Sequence, residues 1–152
     1  MIFTTKAEYG VRLLIQLGLR GGDQPVSLKA VAETENLPLA YLERIASLLK
    51  RADLITAVRG AHGGYRLARS PEEITMDAVV LALEGAIAPM DCFVDDRDSR
   101  VLCSHPSDGE HCATKLLWTR VQMGVIKSLQ RTTLAELVEF ANPTETHLEM
   151  HG

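Results

Sequence analysis

Residues 27–69, SLKAVAETENLPLAYLERIASLLKRADLITAVRGAHGGYRLAR, decide the fold. Ser27 is placed to cap a short helix whose buried side is Leu28, Val31 and Ala32. Glu35-Asn36-Leu37 reads as a turn, and Pro38 as a first-turn proline of the next helix, where a missing N–H costs nothing. In that second helix Leu39, Leu42, Ile45, Ala46 and Leu49 recur at spacings of three and four, which leaves Ala40, Tyr41, Glu43, Arg44, Ser47 and Lys50 facing outward. Two short helices across a tight turn, the second amphipathic with small, polar and basic outward residues, form a helix-turn-helix pattern. After Asp53 the period changes from helical to alternating. Leu54 to Arg59 and Tyr65 to Arg69 are strand candidates joined by Gly60-Ala-His-Gly-Gly64, whose glycines permit a tight hairpin. A hairpin directly after a helix-turn-helix is a wing, and Arg59, Arg66 and Arg69 flanking its tip suit phosphate contact or a narrow minor groove.

Working outward, Thr5-Lys-Ala-Glu8 has the spacing of a capping box. The helix it opens carries Val11, Leu14, Ile15 and Gly18 on one face and stops at Gly21-Gly22. Downstream, Ser70-Pro-Glu-Glu73 is a turn. Thr75 caps a helix through Met76, Val79, Val80 and Leu83 that ends at Glu84-Gly85. From Ala113 a long helix repeats Leu117, Val121, Val125 and Leu129, with Leu116, Trp118, Met123 and Ile126 on its other faces. Apolar residues around so much of a helix need a second surface, and a partner subunit is the economical one; Gly124 would allow close approach. Thr133 caps a last helix from Leu134 to Phe140, and Asn142-Pro143 opens a tail holding His147 and His151. The expected class is therefore mainly α with a small β-wing: a winged helix-turn-helix at 1–85, a cysteine-bearing segment at 86–112, a long dimerisation helix and short helix at 113–141, and a tail at 142–152.

At 152 residues the length prior is one domain. No apolar run approaches the roughly 18 residues needed to cross a bilayer, and MIFTTKAEYG lacks the pattern of a signal peptide. The expected location is the cytosol, with no membrane partner and no small-molecule substrate. The net charge of −4 conceals a division. Residues 25–70 carry seven Lys/Arg against four acids, a net of +3; residues 71–152 carry six against fourteen, a net of −8; the first 24 residues contribute +1. A locally basic region inside an acidic chain fits double-stranded DNA contact confined to one face.

Between Asp91 and Cys112 lies DCFVDDRDSRVLCSHPSDGEHC, which holds all three cysteines. Cys92, Cys103 and Cys112 are separated by ten and then eight residues, with five acidic residues, His105 and His111 among them, a composition too polar to build core. An odd count of thiols in a chain without a secretion signal points to ligand or redox chemistry rather than a disulfide framework. Zinc usually takes cysteines in pairs two to four residues apart, and no such pair exists. A thiol–disulfide switch and a cysteine nucleophile with His105 or His111 as base are the other readings. The last finds no oxyanion-hole motif to support it, so an enzyme is not expected.

The opening Thr4-Thr-Lys, Leu39-Ala-Tyr-Leu-Glu43, Val58-Arg-Gly-Ala-His-Gly-Gly-Tyr65, Leu83-Glu-Gly85, Cys112-Ala-Thr-Lys-Leu-Leu-Trp118 and Thr133-Leu-Ala-Glu-Leu137 resemble the Rrf family of bacterial winged-helix regulators, in order from residue 1 to about 141. The resemblance implies a homodimeric transcription regulator that reads DNA with the helix from Pro38 and the wing, and that senses redox, iron or nitric oxide state through an iron–sulfur cluster. Tyr41, Glu43 and Arg59 stand at positions that face DNA in relatives; with Ser27, Lys29, Arg44, Lys50, His62 and Arg66 they make the expected DNA-binding set. Some relatives read with serines beside the tyrosine, where this chain has Pro38 and Ala40 and so lacks those hydroxyls. Cys92, Cys103 and Cys112 match the three cluster cysteines. Two-iron members complete the set with a histidine three residues after the last cysteine, but here that residue is Lys115, whose ammonium has no lone pair. In four-iron members an acidic residue on the first helix reaches across the dimer, which makes Glu8 a candidate fourth ligand. His105 and His111 are the others. A four-iron cluster is the expected cofactor, with a two-iron cluster as the alternative.

Overall fold

Asn36 takes the left-handed conformation (φ 54°, ψ 50°) at the end of α2 (Leu28–Glu35), which reverses the chain within two residues and launches α3 (Leu39–Arg51). Asparagine tolerates that conformation where most residues resist it, so the expected turn forms where its residue chemistry allows. Pro38 serves as the N-cap of α3 rather than its first helical residue (φ −64°, ψ 122°). The computed structural model describes residues 3–21, 24–88 and 113–142.

α1 (Thr5–Leu19) begins differently from the expected capping box. Thr4 is the N-cap and its hydroxyl accepts from the amide of Lys6 at 3.2 Å, while Glu8 turns to Arg12 one turn along. The third helical residue is then Ala7, which has no acceptor to return to the cap. The buried stripe of α1 is also rotated from the expected one: Ala7, Gly10, Leu13, Leu14 and Leu17 are buried, whereas Val11, Ile15 and Gly18 are only partly so. Several neighbours set that stripe, because α3, α4 (Met76–Glu84) and α6 (Leu134–Ala141) all pack on α1. Gly10 belongs to it because a Cβ there would collide with the side chain of Leu83.

The wing is an antiparallel pair, β1 (Ile55–Val58) and β2 (Gly64–Leu67), in register from Ile55 opposite Leu67 to Val58 opposite Gly64. Both strands are shorter than the alternation suggests. Gly60 (φ 123°) and the bond from the Gly63 amide to the Gly60 carbonyl (3.0 Å) close the tip. The outer edge of β2 is held to the body by Val26, which exchanges two 2.8 Å backbone hydrogen bonds with Tyr65. A single bridging residue is too short to announce itself as a strand.

A 3₁₀ turn at Pro71–Glu73 leads to α4, whose N-cap Thr75 makes no side-chain cap bond and which ends at Gly85 in the left-handed region (φ 81°). α6 docks through a second bridge, with the Leu134 amide donating to the Ile74 carbonyl (2.8 Å) and the Met76 amide to the Thr132 carbonyl (3.0 Å). Thr133 and Glu136 form a full capping box. Leu134 is thereby buried in the same core as Leu14, Leu42, Ile45 and Val79, so the last helix shares the interior of the N-terminal elements. α5 (Ala113–Arg131) has no buried residue; it packs on α4, and the Gln122 amide donates to the Ile87 carbonyl at 2.7 Å. Leu116 (56%) and Leu117 (51%) stand exposed on it.

Candidate functional site

α3 is amphipathic along its length. Leu42, Ile45, Ala46 and Leu49 are buried, and Ala40, Glu43, Arg44, Ser47 and Lys50 are exposed, as the spacing predicts. Tyr41, expected to face outward, is instead half-buried, and Leu39 departs in the opposite sense. The sequence reading puts it with the apolar stripe, yet it is 38% exposed, because the core begins one turn later at Leu42 and no element among the described residues covers the helix start. Pro38, Leu39 and Ala40 therefore form an exposed apolar entrance to the helix.

Tyr41 is half-buried between α3 and α1. Its ring meets that of Tyr9 edge-on, with centroids 5.6 Å apart and planes at 88°, and its hydroxyl lies 3.3 Å from the Thr5 hydroxyl. An edge-to-face pair of this kind fixes ring orientation as well as burying area. Ser27 spends its hydroxyl on the N-cap of α2, accepting from the Ala30 amide at 3.1 Å, while Lys29 is exposed. On the wing, Arg59 and His62 sit on the exposed tip segment and Arg66 is exposed on β2. Arg69 does not flank the tip: it lies beyond the base of the hairpin and lines, with Leu17, Leu67 and Pro71, a cleft of about 400 Å³ against the end of α1. Among the described residues, none of Arg44, Lys50, Arg59 and Arg66 is in an ion pair. Four exposed cations with no ion-pair partner among the described residues suit phosphate contact.

The N-terminus of α1 carries a residue the sequence reading treats only as a helix end. Glu84, the last residue of α4, accepts from the Thr4 amide (2.9 Å), the Thr4 hydroxyl (2.6 Å) and the Ala7 amide (3.3 Å). It does for α1 what a glutamate inside a capping box does locally, but from 80 positions away in sequence. No short-range spacing could reveal it. Glu8, by contrast, is exposed on the first turn, paired with the half-buried Arg12 at 2.9 Å. Cys92, Cys103, Cys112, His105 and His111 lie outside the described residues, and among the described residues no group of three His, Cys, Asp or Glu comes together as a metal site.

Residues 3–140 match the model of Rrf2, described as an iron-dependent transcriptional regulator. The chain belongs to the Rrf2 family. Protein rrf2 of Nitratidesulfovibrio vulgaris is 34% identical over 142 residues, covering 93% of this chain and 90% of the relative. The structure of CymR, the global cysteine regulator of Bacillus subtilis, superposes with a TM-score of 0.77 at 34% identity, covering 93% of this chain and 99% of that one. The structure of T. potens IscR superposes with a TM-score of 0.74 at 32% identity, covering 95% and 91%. As an Rrf2-family member the chain is a DNA-binding transcriptional regulator, and its winged-helix fold is shared with these neighbours. No helix among the described residues is long and apolar enough to cross a membrane.

Proposed function

We propose that the chain is a homodimeric Rrf2-family regulator whose DNA affinity is set by an iron–sulfur cluster held on Cys92, Cys103 and Cys112. The observation that carries the DNA half of this reading is the exposed face of α3 followed by a wing whose Arg59 and Arg66, like Arg44 and Lys50, are in no ion pair among the described residues. The dimer is supported by α5, which buries no residue within one chain while exposing Leu116, Leu117 and Met123.

The donor set fits a cluster. Three thiolates supply most of the usual four-cysteine coordination, and an oxygen ligand makes the site more labile, which suits a sensor. Glu8 meets the requirement of accessibility: it is exposed, and among the described residues its side chain caps nothing and pairs with Arg12 alone. In the proposed dimer Glu8 of the partner subunit completes a four-iron cluster. When bound, the group supplies a chemically sensitive crosslink between subunits. A route from the cysteine segment to the DNA face exists in this chain. The segment follows α4, Glu84 at the end of α4 caps α1, and Tyr41 of α3 rests on Thr5 and Tyr9 of α1. Loaded and empty forms must differ in their interaction energy with DNA for such a device to work.

Anaerobic purification with visible absorption and iron and sulfide counting, paired with DNA binding by matched loaded and empty protein, tests the proposal. A coloured protein whose two forms differ in affinity supports it; a colourless, zinc-loaded protein, or equal affinities, refutes it. A second reading, in which thiol oxidation rather than a cluster is the signal, is favoured by the similarity to a global cysteine regulator over 93% of the chain. Iron-free protein whose DNA affinity responds to oxidant and is restored by a dithiol would select that reading.

A further inference from the structure

We propose that Leu39, with Ala40 beside it, reads thymine methyl groups in the major groove. The inference rests on the DNA-binding reading of α3 and adds to it the bases that this chain prefers. Leu39 is the first residue of α3 and is 38% exposed, whereas the leucines and isoleucine one to three turns further along, Leu42, Ile45 and Leu49, are 0–1% exposed. It is thus an apolar side chain that the core leaves out, with exposed Pro38 before it and exposed Ala40 after it.

Position and chemistry then combine. The N-terminal residues of a recognition helix are those that approach base edges. Pro38, Leu39 and Ala40 carry no side-chain donor or acceptor, so set against the edge of guanine, cytosine or adenine they would strip water from polar groups and return nothing. The major-groove edge of thymine carries a C5 methyl group, the one apolar feature among the four bases. An apolar helix entrance therefore selects by cost as well as by contact: it tolerates thymine and penalises the other edges. The flanking charge holds the entrance at the groove, since Arg44 on the same helix and Arg59 on the wing are exposed and in no ion pair among the described residues. Leu39 is a specificity-determining residue in this scheme.

The test begins by selecting duplexes from a randomised pool with the full-length protein. Each thymine in the recovered site is then replaced singly by uracil, which keeps base pairing and removes only the methyl group. We expect the replacement to weaken binding about fourfold at one or two positions in each half-site, the worth of one buried methyl group. In Leu39→Ser the thymine-to-uracil ratio at those positions falls to about one. Leu39→Met, which keeps an apolar reach, retains it, and Ser47→Ala, two turns along the same helix, leaves it unchanged. A ratio of one at every position in the parent protein overturns the proposal, as does a fourfold ratio that survives Leu39→Ser. A pool that yields no enriched sequence refutes the DNA-binding reading beneath it, which is a different failure. Circular dichroism of Leu39→Ser confirms that the comparison is made between folded proteins.

Discussion

Replacing Glu84 tests whether the N-terminus of α1 is held from α4. The carboxylate accepts from two backbone amides, those of Thr4 and Ala7, and from the Thr4 hydroxyl, at 2.9, 3.3 and 2.6 Å. Hydrogen bonds to a charged group are worth about 1.5–3 kcal/mol each when water is excluded. Here Thr4 is exposed and Glu84 only half-buried, so freed donors rehydrate and the lower scale of helix caps, about 0.5–2 kcal/mol, applies. The negative charge at a helix N-terminus adds about 0.3–1 kcal/mol. Glu84→Ala should therefore lose roughly 1–3 kcal/mol by urea denaturation at fixed protein concentration. Glu84→Gln keeps an acceptor oxygen and should lose only the charge contribution, about 0.3–1 kcal/mol. Glu84→Ala and Thr4→Ala should be non-additive by about 1 kcal/mol, because each removes the same bond. Glu8→Ala is the decisive control. A Thr5–Glu8 capping box would make Glu8 the costly residue; an exposed pair with Arg12 makes its loss worth less than about 0.5 kcal/mol. A Glu8→Ala cost larger than that of Glu84→Ala would refute the capping assignment.

Gly64→Ala places a Cβ against the Val26 carbonyl, which is backbone and cannot rotate aside, so it should break the Val26–Tyr65 bridge. The two lost bonds predict about 1–3 kcal/mol of destabilisation, with faster amide exchange at Val26 and Tyr65 as the readout. Leu134→Ala removes a fully buried side chain from beneath α6 and should cost about 2–5 kcal/mol in the same denaturation assay. Arg59→Ala should weaken binding to all DNA sequences at low salt and reduce the slope of log affinity against log salt by about one if the residue contacts phosphate; a changed sequence preference with an unchanged slope would place it on a base instead.

How far the sequence discloses this arrangement depends on the range of the interaction involved. Asn36 and Gly85 mark their helix ends because left-handed backbone has few takers, and Thr133 announces α6 because its partner Glu136 is three residues away. Such signals are local, and the helix-turn-helix and wing are built from them. Glu84 is invisible on those terms: the donors to its carboxylate lie 77 and 80 positions upstream, and only the packing of α4 on α1 brings them together. The same reason shifts the stripe of α1, since Gly10 counts as core only when Leu83 arrives to fill the space its missing side chain leaves. Leu39 has the residue type and spacing of a core position, and its exposure depends on what packs over the start of α3, which no periodicity records. For the cysteine segment the donors and their order are legible in residues 92–112, whereas the ligand geometry is a matter of three-dimensional placement.

Magnitudes also decide how a change at that segment could reach DNA. The polar link between α1 and α3 is one exposed hydrogen bond, Thr5 to Tyr41, worth about 0.5–1.5 kcal/mol. The apolar link is larger: Leu42, Ile45 and Leu49 are 0–1% exposed in a core shared with Leu13, Leu14 and Leu17, and each fully buried side chain of this kind contributes about 1.5–3 kcal/mol. The apolar term wins by several-fold, so α3 cannot pivot on α1 at the cost of that hydrogen bond alone. The wing is tied in as well, through Val26 at one edge and Leu54 and Ile55 in the core. In the proposed regulator a signal passing through Glu84 would therefore move α1, α3 and the wing together. What the described contacts leave open is the placement of that whole unit relative to a partner subunit across α5, whose Leu116, Leu117 and Met123 are exposed. In the proposed dimer this placement sets the spacing between two reading heads, and spacing is a quantity to which paired half-sites on DNA are sensitive.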